Sequence, residues 1–226
     1  MGAPQGGGLV TQSSGGSGGP ARGPLRAVLF DLDGVLIDSY EAWFHVTNGA
    51  SRDFGLPPVT RERFHAIFGQ GIAADVDNLY PGRTVAEVEA AYERHMRAQS
   101  GTIDVNPEGR AALATLRAGG VRVACVTNTH GRLAEALLQA AGLVGAFDAV
   151  RAAGPALREK PAPDLLLSAM AALGVRAEEA LMVGDSRYDE EAAAAARVRF
   201  VKYVMRTKAS LREALAAAGA LAASPR

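Results

Sequence analysis

Two aspartates, Asp31 and Asp33, follow the apolar run Ala27-Val28-Leu29-Phe30 with only Leu32 between them and Gly34 directly after. Four apolar residues between Arg26 and a turn are too few for a helix and read as a buried strand. Side chains alternate along extended backbone, so Asp31 and Asp33 leave the strand end on one side. Two carboxylates held that close repel each other, and they call for a cation, a shared proton or both. A turn in which an aspartate caps the next element explains the pair equally well, because Asp and Gly are ordinary turn residues. Other groups must decide. Thr127-Asn128, Lys160-Pro161-Ala162-Pro163-Asp164 and Gly184-Asp185-Ser186-Arg187-Tyr188-Asp189 add a hydroxyl, an ammonium and further carboxylates. Together with the aspartate pair they supply a nucleophile, a phosphate cradle, a fixed positive charge and an oxygen-rich Mg2+ site, which is what phosphoryl transfer requires.

These groups fall where a repeating β-α pattern would bring them together. Helical patterns over 108–118, 131–141, 162–173, 189–196 and 208–219 alternate with strand-like runs over 121–126, 147–151, 180–183 and 198–205. Such alternation implies a parallel sheet with helices on both faces, and ligands then sit at the carboxyl ends of the strands. Thr127 and Asn128 follow the second strand at a helix N-terminus, Lys160 precedes a helix, and Asp185 and Asp189 follow the fourth strand. The interval from Asp33 to Thr127 is about three times the roughly 30 residues that a crossover takes. It holds helical patterns over 40–54, 61–68, 72–79 and 84–98, so a helical subdomain inserted after the first strand is expected above the strand ends, where a lid belongs.

Bulk composition narrows the function class. The 226 residues carry 24 basic and 24 acidic side chains, with no basic block and no aromatic-basic interleaving, so nucleic acid is not an expected partner. No apolar run approaches the ~20 residues that span a bilayer, and no membrane partner is expected. The single cysteine, Cys125, lies in an apolar run and reads as a core residue, compatible with a reducing cytoplasm. Residues 1–24 are rich in Gly, Ser and Pro and read as a disordered tail without the basic and apolar regions of a signal peptide.

Asp31-Leu-Asp-Gly-Val-Leu36 with Asp38-Ser39, Val126-Thr-Asn128, Lys160-Pro-Ala-Pro-Asp164 and Val183-Gly-Asp-Ser-Arg-Tyr-Asp189 occur in the order of the four motifs of the haloacid dehalogenase superfamily. The chain resembles its capped phosphatase branch over residues 25–205, most closely phosphoglycolate phosphatase-like members. The resemblance implies an α/β fold, a Rossmann-like core over 25–38 and 105–226, and a C1-type α-helical cap over 39–104. It also implies a Mg2+-dependent phosphatase acting on a small phosphorylated metabolite, as a monomer or homodimer in the cytoplasm. Under that resemblance Asp31 is the nucleophile. Asp33 is the acid/base, and the neighbouring charge of Asp31 favours its neutral form. Thr127 and the Asn128 N–H hold phosphoryl oxygens, and Lys160 neutralises both the phosphate and Asp31. Asp31, Asp185 and the carbonyl of Asp33 hold Mg2+, with Asp189 ligating or supporting.

Four further readings belong with the resemblance. A sugar-phosphate mutase uses the same aspartate pair and cap, and a binding module without turnover would keep the same residues. A phosphonate-cleaving relative needs a cap lysine, and residues 38–105 contain none. Gly69-Gln70-Gly71 resembles a substrate-facing cap loop, though a plain interhelical turn explains it nearly as well. Two positions depart from the family pattern. Ala196-Arg197 stands where many relatives have Ala-Gly, leaving the helix-ending turn without its glycine. The segment Lys202 to Lys208 also lacks the glycine common after the last strand.

Overall fold

The computed structural model describes residues 24–222. The tail read over 1–24 lies outside them except for its last residue. Five parallel strands form the central sheet: β1 (Ala27–Phe30), β4 (Arg122–His130), β5 (Ala149–Ala153), β6 (Ala180–Gly184) and β7 (Arg199–Lys202), in spatial order β5-β4-β1-β6-β7. Both faces are covered, as in any all-parallel sheet. The strand period of two sorts the core. Val28, Phe30, Val123, Cys125, Leu181 and Val183 pack under α5 (Pro107–Ala118), α6 (Gly131–Ala140) and α9 (Leu211–Ala217). Ala27, Leu29, Ala124, Val126, Ala180 and Met182 pack under α7 (Asp164–Leu173) and α8 (Arg187–Ala195). Cys125 is fully buried in the first of these layers, and burial pushes its thiol far up, so it is packing material.

The inserted subdomain consists of α1 (Tyr40–Asp53), α2 (Arg61–Ile67), α3 (Ile72–Leu79) and α4 (Val85–Arg97). Its start signals are local: Thr60 caps α2, and Thr84 with Glu87 forms a reciprocal capping box on α4. Rings on α1 and α2 interlock edge to face, with Tyr40 against Phe64 and Phe68 and Phe44 against Phe64. A two-stranded antiparallel ribbon joins cap to core. It is made of β2 (Ile37–Asp38) and β3 (Asp104–Val105), paired Ile37 to Val105 and Asp38 to Asp104. Asn106 locks its base: its side chain donates to the Val35 carbonyl at 2.8 Å and accepts from Glu108 N–H at 3.0 Å, starting α5. Sequence periodicity has no purchase on two-residue strands, and this ribbon was not foreseen.

Several boundaries differ from the expected ones. The strand expected over 121–126 continues to His130, because Thr127 pairs with Ala152 and His130 with Ala153 across a register shift. Thr127 and Asn128 therefore belong to a strand end, and the next helix starts only at Gly131. The strand expected over 198–205 ends at Lys202, while α8 starts at Arg187 because Ser186 caps it.

The turn that lacks its glycine is retained. Arg197 takes a left-handed backbone at φ 58°, with Val198 N–H donating to the Ala193 carbonyl at 2.8 Å and Arg197 N–H to Ala194 at 3.1 Å. A side chain in that conformation costs about 1 kcal/mol that glycine avoids. Arg197→Gly is expected to raise the unfolding temperature by roughly 2 °C, read by calorimetry; an unchanged or lower value would mean that Arg197 contributes compensating contacts.

Candidate active site

The carboxyl ends of β1, β4 and β6 converge beneath the cap. Asp31 and Asp33 line one cavity, together with Thr127, Asn128 and the cap residues Trp43 and Gln70. The shared side predicted for the two aspartates is thus where the structure places them. Two glycines make the crowding possible. Gly34 has φ +83°, and a Cβ there would stand 2.2 Å from Asp185 Oδ2. A Cβ on Gly184 would stand 2.3 Å from that of Asp189.

Lys160 is the buried cation of this cluster. Its Nζ donates to Asp31 Oδ1 at 2.6 Å, Asp189 Oδ1 at 2.6 Å and the Val126 carbonyl at 3.0 Å. Burial alone would push the ammonium down, but the charges of Asp189 and Asp31 override it and hold its pKa above the ordinary lysine value. All three N–H donors are engaged, so a direct bond to a phosphoryl oxygen requires Lys160 to exchange one of these acceptors. Asp189 is equally committed. Its Oδ2 accepts from Ser186 Oγ at 2.6 Å and Ser186 N–H at 3.1 Å, closing the capping box of α8, while Oδ1 holds Lys160. Helix capping and charge pairing coexist in this one side chain.

Asp31, Asp185 and Asp189 can each bring a carboxylate oxygen within 4.8 Å of the others. Among the described residues, only Lys160 pairs with these acids. Burial and then the Asp189 charge push Asp31 well above the usual carboxylate range, and the same causes raise Asp185 to about 7. A hard divalent cation with oxygen ligands fits that surplus of buried carboxylate. With both oxygens of Asp189 engaged, Asp31 and Asp185 are the better-placed direct ligands and Asp189 supports them.

This crowding has a consequence for stability. Carboxyls with raised pKa values hold protons more tightly folded than unfolded, so the stability they contribute is complete below about pH 4 and is lost as pH climbs towards 7. A bound divalent cation removes that loss. Calorimetry with Mg2+ and with chelator is expected to give a larger Mg2+-dependent increment at pH 8 than at pH 5; equal increments would sink the assignment.

Three donors converge on Asp33: the Ser39 hydroxyl, Trp43 Nε1–H at 2.9 Å on Oδ1, and the Thr129 hydroxyl at 2.9 Å on Oδ2. The two hydroxyls can turn to accept when Asp33 carries a proton, so the cradle serves both protonation states. Sequence reasoning missed Trp43 and Thr129. Thr129 carried a faint signal, two residues beyond Thr127 on a strand, and Trp43 carried none.

Thr127 Oγ1 accepts from Thr129 N–H at 3.0 Å, keeping its own hydrogen for a ligand. Asn128 does more than present a backbone N–H. Its Oδ1 accepts from Lys160 N–H at 2.7 Å, and its Nδ2 donates to the Lys160 carbonyl at 2.9 Å and to the cap carbonyl of Gly69 at 3.1 Å. A second tie joins cap and core at Glu159, whose carboxylate accepts from Ala73 N–H at 3.1 Å and faces His130 Nε2 at 3.2 Å. Gly71 leaves room for it, since a Cβ there would stand 1.9 Å from the Glu159 carboxyl carbon. His130 is largely buried and bridges Glu159 to Glu89 of α4. His95 pairs with Asp53 at 2.9 Å on the cap surface. Arg187 lies over the Tyr188 ring and does not line the cavity of Asp31.

Comparison with known proteins agrees with this geometry. The haloacid dehalogenase-like hydrolase family model matches residues 28–203. Phosphoglycolate phosphatase of Nitrosospira multiformis is 33% identical over 182 residues, covering 76% of this chain and 80% of that one. Phosphoglycolate phosphatase of Chromobacterium violaceum is 33% identical over 181 residues, covering 76% and 82%. The crystal structure of CbbY from Rhodobacter sphaeroides in complex with phosphate superposes with a TM-score of 0.70 at 24% identity, over 83% of this chain and 91% of that one, which supports the fold. The chain belongs to the haloacid dehalogenase-like hydrolases.

Proposed function

We propose that the protein is a Mg2+-dependent phosphatase that hydrolyses a small phosphomonoester through an aspartyl-phosphate on Asp31. The observation that carries this reading is Lys160 bonded to Asp31 and Asp189 beneath a cavity that also holds Asp33. Lys160 fixes one oxygen of Asp31 and leaves the other for attack. Asp31 forms the new O–P bond as the ester O–P bond breaks, and the proton of Asp33 goes to the leaving alkoxide. Water then attacks the phosphorus, Asp33 takes its proton, and the Asp31 O–P bond breaks to release phosphate. Thr127 donates its hydroxyl to a phosphoryl oxygen. Mg2+, held by Asp31 and Asp185 with the Asp33 carbonyl, offsets phosphoryl charge when bound. Relatives named phosphoglycolate phosphatase lend support to the phosphatase class.

The test is phosphate release from p-nitrophenyl phosphate with Mg2+ and with chelator. Turnover with Mg2+ alone is expected. Asp33→Asn should attack but stall, accumulating a phosphoenzyme that hydroxylamine cleaves. Binding without turnover at any metal concentration would refute the reading.

A further inference from the structure

The cap end of the active cavity is built from acceptors whose donors are already committed. Asp75, on α3, accepts from Gln70 Nε2 at 2.6 Å and from the Tyr92 hydroxyl at 2.8 Å, and all three side chains line the cavity that contains Asp31 and Asp33. The Tyr80 hydroxyl behind Tyr92 donates to the Thr47 carbonyl at 2.9 Å and is a second acceptor for Tyr92 at 3.2 Å, longer than the 2.8 Å contact to the Asp75 carboxylate. Trp43 gives its N–H to Asp33. Phe64, Ile67 and Phe68 supply apolar wall. Each carboxylate oxygen of Asp75 has a lone pair beyond the donor it holds, so a ligand hydrogen can still be accepted.

Cations are missing from the same place. Among the described residues, no arginine or lysine lines this cavity. His130 is its one basic side chain, and it stands 3.2 Å from Glu159 and 3.6 Å from Glu89. Arg187, Lys202 and Arg206 line a different cavity beyond Gly34 and Asp185, where Arg206 pairs with Asp38. Burial pushes the Asp75 carboxyl up to about 6, so above neutral pH it is an anion in poor solvent, stabilised by a donor and opposed by a second anion.

Resting on the phosphatase reading, we propose that Asp75 selects a leaving group that brings it a hydrogen-bond donor and rejects one that brings a second negative charge. The substrate class is then a small phosphomonoester of a hydroxylated or amino-bearing alcohol. Phosphoglycolate, named for the relatives, carries a carboxylate beside its phosphate and falls outside this class. Asp75 would touch the part of the substrate that departs, and like-charge contact in a closed site costs enough to discriminate.

Three esters with the same two-carbon skeleton isolate the charge: phosphoglycolate, 2-hydroxyethyl phosphate and 2-aminoethyl phosphate. With the wild type and Mg2+ at pH 7.5, kcat/KM for the hydroxyl and amino esters is expected to exceed that for phosphoglycolate by at least about tenfold. Asp75→Asn retains an acceptor for Gln70 or Tyr92 and removes the charge. It should narrow the gap roughly tenfold, mainly by lowering KM for phosphoglycolate. Phosphoglycolate turned over as well as the other two would overturn the inference, as would an unchanged ratio in a folded Asp75→Asn. If that variant fails to fold, the wild-type ratios decide alone. Turnover of p-nitrophenyl phosphate with none of the three esters would overturn the inference and leave the phosphatase reading standing. No turnover of any of them would overturn both.

Discussion

Asp31→Asn is expected to lower turnover by roughly 10⁴-fold or more, measured as phosphate release under saturating Mg2+. An amide is a poor nucleophile and cannot form the mixed anhydride, so no alternative route through this site remains. The same change should leave a folded protein. Asp31 is buried among Asp189, Asp185 and Asp33, and its raised pKa means that its charge opposes folding at neutral pH. The amide removes that charge while its oxygen can still accept from Lys160. In chelator at pH 8 the variant should therefore melt no lower than the wild type, and Mg2+ should raise its melting temperature less. Retained turnover would refute the nucleophile; a marked loss of thermal stability would refute the electrostatic account.

Lys160→Met should do the opposite. It removes the ammonium that Asp31, Asp189 and the Val126 carbonyl share, leaving two buried carboxylates without their cation. Breaking a buried pair on one side costs about 3–5 kcal/mol, which in a domain of this size is a fall of roughly 10 °C. Turnover should fall with it, because Asp31 loses the group that orients it. Adding Asp189→Asn to Lys160→Met ought to recover part of the stability and none of the activity. An unchanged melting temperature in the single variant would mean that the cluster is held by something other than this lysine.

The sheet was legible because its strands are uninterrupted apolar runs and its helices carry start and stop residues that act locally. The core of the site was legible for a related reason: Asp31, Thr127, Lys160 and Asp185 each follow or precede such an element. What escaped has a physical pattern of its own. β4 runs on through Thr127-Asn128-Thr129-His130, a polar stretch that stays extended only because β5 pairs with it. Asn128 was read for its backbone, yet its side chain clamps Lys160, a long-range bond without a sequence signature. Ser39 and Trp43 at the start of α1 and Thr129 at the end of β4 meet at Asp33, and nothing in their spacing announces it. Asp75 sits inside an unremarkable helix, and only the placement of that helix over the strand ends makes it part of the cavity.

The bond from Trp43 to Asp33 also ties the cap to the core. Trp43 belongs to the cap and Asp33 to the core, whereas the other two donors, Ser39 and Thr129, lie at the joint and in the core. Any displacement of α1 that withdraws the indole would remove one donor from Asp33. On the proposed mechanism, the surroundings of the group that trades the proton are then set by the seating of one aromatic ring.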